Sequence, residues 1–179
     1  VPDICDLILE QHEEFRARFA ELDGMRDADG ETLAGVWRPL AALLEAHAEA
    51  EEELFYPHLL DHGDEPVEET EDAITDHNDI TEGVEGADNA TPGSAPWWWA
   101  VDRAREANSS HTAEEERGAL ADFRRNAPVE LREEIGAAWL AWHGEHDGAG
   151  RDEKGVVDYV EEHGDDDQVE EARELVEDD

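Results

Sequence analysis

The chain has 179 residues, with 52 acidic side chains against 13 lysines and arginines and a formal net charge of −39. That length fits one domain with its own core. A hydrophobic fraction of 39% with six tryptophans makes the acidity a coat on a folded protein rather than a sign of disorder. The charge excludes nucleic-acid binding, because phosphate contacts need a basic footprint. No apolar run approaches a membrane span and no signal-peptide pattern opens the chain, so the expected location is cytoplasmic. Cys5 alone supports neither an intrachain disulfide nor a thiolate zinc site. Arginine carries nearly all the positive charge, and Lys154 is the sole lysine. Such a coat fits a halophilic protein: at 1 M salt the Debye length is about 3 Å, so repulsion between surface carboxylates is screened. The alternative is a surface for a basic partner.

In chain order, apolar positions stepping by threes and fours predict a first helix from about Asp3 to Leu22, through Ile4, Ile8, Phe15 and Phe19, with His12 in the same series. Asp23-Gly24 and Asp29-Gly30 mark the loop that follows. A second helix is predicted over roughly Glu31 to Leu60, with a kink or shifted boundary at Pro39 and Pro57. The third, about Val67 to Val84, has a narrow stripe of Ala73, Ile74, His77, Ile80 and Val84. The fourth runs from about Trp97 to Arg125, with Val101, Ala104, Asn108, His111, Glu115, Ala119 and Phe123 facing inward. Pro128 opens a further helix from Val129 to His146. The expected fold is all-α: an antiparallel up-and-down four-helix bundle with an extra C-terminal helix (residues 1–146), then an acidic, partly helical tail (147–179).

The chemistry is concentrated in LEAHAEAEEELFYP, where His47 and Glu51 stand four residues apart among Leu43, Leu44, Leu54 and Phe55. Positions i and i+4 share a helix face, so an imidazole and a carboxylate would enter the core together. A buried carboxylate must be paired or bound to a metal. The device recurs at His111 and Glu115, while His12 and His77 sit on the stripes of their own helices. A lone core histidine is usually just a hydrogen-bonded core residue. Four of them on four helices, two with an i+4 glutamate, favour metal binding. Mixed imidazole and carboxylate donors suit iron, manganese or zinc. Four histidines and two shared carboxylates suit two cations better than one. No His-Glu-x-x-His is present, so a zinc protease has no support.

On these residues the chain resembles the hemerythrin-like, or HHE cation-binding, domain family. The likeness covers about residues 3 to 125: His12 in LEQHEEFRARF, His47 and Glu51 in the segment above, His77 in TDHNDI, and His111 and Glu115 in SHTAEEE. It implies a four-helix bundle around two carboxylate-bridged non-haem iron ions, with zinc or manganese as substitutes, serving oxygen binding, oxygen or iron sensing, or redox and nitrosative stress. Two departures argue against simple oxygen carriage. The oxygen carriers have a further histidine where this chain has Ala73, and a carboxylate five residues after the last histidine, where Glu115 is four after His111.

The leading reading is therefore a metal-binding and sensing module whose partners are metal ions and O2 or a small oxidant. The alternatives are a di-iron enzyme acting on peroxide or nitrogen oxides, and a metal-free helical interaction protein. His58 and His62 also stand at i and i+4, but His58 lies eleven residues, or about 16 Å of helix, from His47 and reads as a bundle-end residue. His143 and His146 read as helix-end histidines, and Trp97 to Trp99 as a cover for one end of the bundle.

Overall fold

The computed structural model describes residues 2–146 and 150–178 and is all-helical, with nine helices among those residues. The four long ones are α1 (Ile4–Gly24), α2 (Gly30–Leu54), α4 (Pro66–Asp88) and α5 (Ala95–Arg117). Between and after them come α3 (Tyr56–His62), α6 (Ala119–Asn126), α7 (Val129–Glu145), α8 (Val156–His163) and α9 (Asp166–Asp178). Several starts are set by side-chain caps that accept an otherwise orphaned backbone N–H: Asp3 from Cys5, Asp29 from Thr32 and Ser94 from Trp97.

The up-and-down order follows from which residues meet. One core cluster joins the C-terminal half of α1 (Phe15, Phe19, Leu22) to the start of α2 (Leu33, Trp37, Leu40), the end of α4 (Ile80, Val84) and the start of α5 (Trp97, Val101). The other joins the start of α1 (Ile4, Ile8) to the end of α2 (Ala46, Ala50), the start of α4 (Val67, Ile74) and the shorter helices. Helices α4 and α5 approach closely at Gly83, where an added Cβ would lie 2.7 Å from the Cβ of Ala104.

Two predicted helices are each divided. The second ends at Leu54, and Pro57 falls in the first turn of α3, where its missing N–H costs nothing. Pro39, by contrast, is carried inside α2. The fourth breaks at Gly118 (φ −102°, ψ −97°), so Leu120 and Phe123 belong to α6. The apolar stripe continues across both breaks, which is why periodicity joined them.

The expected boundary after His146 adjoins residues 147–149, which lie outside the described residues. From Gly150 onward the chain packs on the bundle: Tyr159, Val160 and Ala172 join the second core cluster, and Gln168 donates to the carbonyl of Leu60 at 2.7 Å. Trp97 is buried, Trp98 lies under the Arg26 guanidinium at 4.5 Å, and Trp99 is 68% exposed. No helix of the described residues is long and apolar enough to cross a membrane. Cys5 is a buried free thiol, pushed up to about 12 by burial and Asp3, so it is inert packing.

Candidate metal centre

The centre lies between the two apolar clusters, where each long helix contributes one histidine: His12 from α1, His47 from α2, His77 from α4 and His111 from α5. Glu51 and Glu115 follow one turn after His47 and His111, as the i+4 spacing requires. All six side chains are buried, none more than 4% exposed. The structure thus brings together every residue singled out for the site. Donor atoms of His12, His47, Glu51, His111 and Glu115 lie within 4.8 Å of one another. His77 stands at their edge, its Nε2 3.2 Å from Glu51 Oε2 and 3.2 Å from His111 Nε2.

The two carboxylates occupy different places. Glu51 faces His47 Nε2 through Oε1 at 2.8 Å, and His77 and His111 through Oε2 at 3.2 and 3.4 Å. Glu115 Oε2 lies 3.2 Å from His12 Nε2 and 3.9 Å from His111 Nε2, while its Oε1 accepts a 2.8 Å hydrogen bond from the Tyr56 hydroxyl. Glu51 therefore spans two groups of histidines, and Glu115 joins His12 to His111.

The outer nitrogens are held by the protein. His47 Nδ1 meets Gln11 Oε1 at 2.6 Å, His12 Nδ1 meets Glu116 Oε1 at 3.0 Å, and His77 Nδ1 meets Glu52 Oε1 at 2.8 Å. A donor role at Nδ1 leaves the Nε2 lone pair directed inward, the arrangement found in histidine metal ligands. Toward the centre the contacts are close but poorly aligned: His12 Nε2, His47 Nε2, both Glu51 oxygens and Glu115 Oε2 face other donor atoms of the centre at 2.8–3.4 Å without a well-directed hydrogen bond. Buried polar atoms are rarely left so. Five that converge on one another fit a shared cation.

Electrostatics reflects the same crowding. Burial pushes the Glu51 carboxyl up, but His47, His111 and His77 outweigh it and hold it well below the usual carboxylate range. Burial opposes charge on His111, yet Glu51 and Glu115 raise it to about 9. His12 is likewise raised, with Glu115 and Glu51 overcoming burial, whereas burial dominates at His47 and lowers it. Burial and the two glutamates raise Tyr56 far above its ordinary range, so it acts as a hydrogen-bond donor.

A cavity of about 330 Å³ adjoins the centre, lined by Tyr56, Ala73, His111 and Glu115 together with exposed acids such as Glu68 and Asp72. Lined by both buried and exposed residues, it connects solvent with the site on the side of Ala73. His58, His62 and His146 stay outside the cluster. His146 stacks on Trp142 at 4.0 Å, and His143 approaches Gln11 at 3.4 Å.

Four partners escaped the sequence reading. Gln11, Glu52 and Glu116 sit beside ligand candidates in polar runs where a side chain holding an imidazole looks like any surface polar residue. The fourth, Arg151, which donates from Nε to Glu52 at 2.9 Å, lies far along the chain; its only signal was a cation in an acidic tail.

The helical bundle and its histidine–glutamate cluster agree with the comparison of the sequence with known families. The hemerythrin HHE cation binding domain matches residues 3–122. No curated protein and no solved structure matches the chain. The match spans two thirds of the sequence and takes in every residue of the cluster, and the chain belongs to the hemerythrin HHE cation-binding domain family.

Proposed function

We propose that the chain is a non-haem di-iron protein that binds or senses oxygen or iron, or handles iron under redox stress. His12, His47, His77 and His111 would hold the metal with Glu51 and Glu115, the two carboxylates bridging. The observation that carries this reading is the set of buried nitrogen and oxygen donors converging on one another without well-directed hydrogen bonds while the outer ring nitrogens are tied down. The two oxygens of Glu51 address different histidines, which favours two cations over one. Imidazole with carboxylate suits iron, with manganese or zinc as substitutes. Bound iron supplies a redox-active Lewis acid beside a solvent-linked cavity. The protein's own residues exclude bulk water, orient the donors and place the Tyr56 hydroxyl on Glu115.

A second reading, an enzyme consuming peroxide or nitrogen oxides, is favoured by the cavity beside His111 and Glu115. Carboxyls that burial raises, Glu69 to about 7 and Asp76 to about 6, also line that cavity, but the binding and sensing role ranks first because its observation is the donor cluster itself. For the coat we propose adaptation to multimolar salt in a cytoplasmic protein, with stability rising as salt screens the carboxylates.

The test is the visible spectrum of reduced, iron-loaded protein before and after air. New charge-transfer absorption that His47→Ala abolishes supports the reading. Stoichiometric zinc in place of iron, or an unchanged spectrum, overturns it. Steady-state peroxide consumption separates the enzyme from the binding module.

A further inference from the structure

The geometry points to a positioning role for the segment after the bundle: Arg151 and Lys154 fix Glu52 and, through it, the ring of His77, so that the tail orients one side chain of the metal centre. This rests on the proposed metal function.

Glu52 is 1% exposed and points away from the centre. Its Oε1 meets His77 Nδ1 at 2.8 Å and accepts from Arg151 Nε at 2.9 Å and Nη2 at 2.5 Å. Its Oε2 pairs with Lys154 Nζ at 2.8 Å, and its backbone carbonyl accepts from the Tyr159 hydroxyl at 2.5 Å. Arg151 also grips the helix that carries His77. Its Nη1 donates to Asn78 Oδ1 at 3.0 Å and Thr81 Oγ1 at 3.1 Å, and Thr81 in turn donates to the His77 carbonyl. Asn78 and Lys154 exchange two further bonds through the Lys154 backbone.

Stability alone does not account for this arrangement. Burying an ion pair roughly breaks even against apolar packing of the same size, and the second core cluster supplies such packing nearby. With 13 lysines and arginines for 52 acids, two cations nevertheless converge on one buried carboxylate. Glu116, which holds His12, has only the half-exposed Arg16, and Gln11 holds His47 without charge. A fixed carboxylate on Nδ1–H keeps the Nε2 lone pair inward and makes the ring a stronger donor. Losing such an outer partner typically weakens cation binding about 10–100-fold.

The test uses full-length Arg151→Met and Arg151→Lys proteins. In metal-free protein, 15N NMR reports the His77 tautomer; a chelator competition with cobalt(II) reports affinity. Wild-type His77 is expected to carry its proton on Nδ1. Arg151→Met should give a mixed tautomer and about tenfold weaker cobalt binding, with much of both recovered in Arg151→Lys. A purely structural role lowers stability in Arg151→Met, where the buried Glu52 carboxylate loses a partner, but leaves the His77 tautomer and the cobalt affinity of the folded protein at their wild-type values. Lys154→Met, at a partly exposed position, should shift both readouts the same way by less, and serves if Arg151→Met does not fold. Wild-type tautomer and affinity in Arg151→Met overturn the inference, as does better recovery by methionine than by lysine. If wild-type protein takes up no cobalt, the metal reading fails, and the tautomer comparison alone then decides on the strap.

Discussion

The two ends of the bundle are built on different principles. At the end of the α1–α2 and α4–α5 loops, the core is apolar and comes from the four long helices alone, with Trp37 and Trp97 edge to face at 6.1 Å. At the opposite end α1, α2 and α4 share the core with α3, α6, α7, α8 and α9. Both helix breaks fall there, at Phe55 and Gly118, each within about a turn of a glutamate of the centre. The first break turns Tyr56 toward Glu115, joining the two divided helices at the site. One end therefore keeps the helices together and tolerates approximate shape. The other is apolar as well, but both breaks and Tyr56 tie it to the centre, and the shorter helices pack there.

That contrast can be broken from either side. Trp37→Ala empties a fully buried position at the first end and should cost about 3–5 kcal/mol in urea unfolding. Its cation stoichiometry, measured below the unfolding transition, should stay that of the wild type. Tyr56→Phe, beside the centre, removes one hydroxyl and leaves a buried Glu115 oxygen unpaired. The expected cost is smaller, about 1–3 kcal/mol, but here iron retention should fall as well. If both variants lost stability with metal binding untouched, the division between the ends would be wrong.

The smallest effect concerns two half-buried acids. Burial, with Asp122 and Glu65 nearby, raises Glu69 to about 7, and burial raises Glu45 to about 7 against the opposing Arg151. A folded-state pKa above the unfolded value of about 4.3 means that the folded protein holds the proton longer. This stabilisation is complete below the unfolded pKa and is lost as the pH rises through about 7. Both groups are half-exposed, so solvent screening limits each to below about 1 kcal/mol. Unfolding curves of wild type and Glu69→Gln should therefore diverge between pH 4.5 and 7.5, about, with the variant losing less; parallel curves would remove Glu69 from the account.

How much the sequence revealed depended on range. His12, His47, His77 and His111 were legible because helix period is local and a polar residue on an apolar stripe stands out. The i+4 glutamates were legible for the same reason. The breaks at Phe55 and Gly118 were not, because Leu54, Phe55 and Leu120, Phe123 continue the stripe while the axis changes. Glu52 was hidden in EAEEEL, where Glu51 and Glu52 are buried and Glu53 is exposed with no compositional difference. Arg151 was hidden by distance: its partners Glu52 and Thr81 lie 99 and 70 residues away, and only the folded tail joins them.

The central claim is that the polar region is a two-cation centre bridged by Glu51. Anaerobic titration of metal-free protein with iron(II), counting iron retained after gel filtration, tests it most directly. The account predicts about two irons per wild-type chain and far less than one in Glu51→Ala. Wild-type protein that retains no iron, or a Glu51→Ala variant that retains as much as wild type, would contradict it.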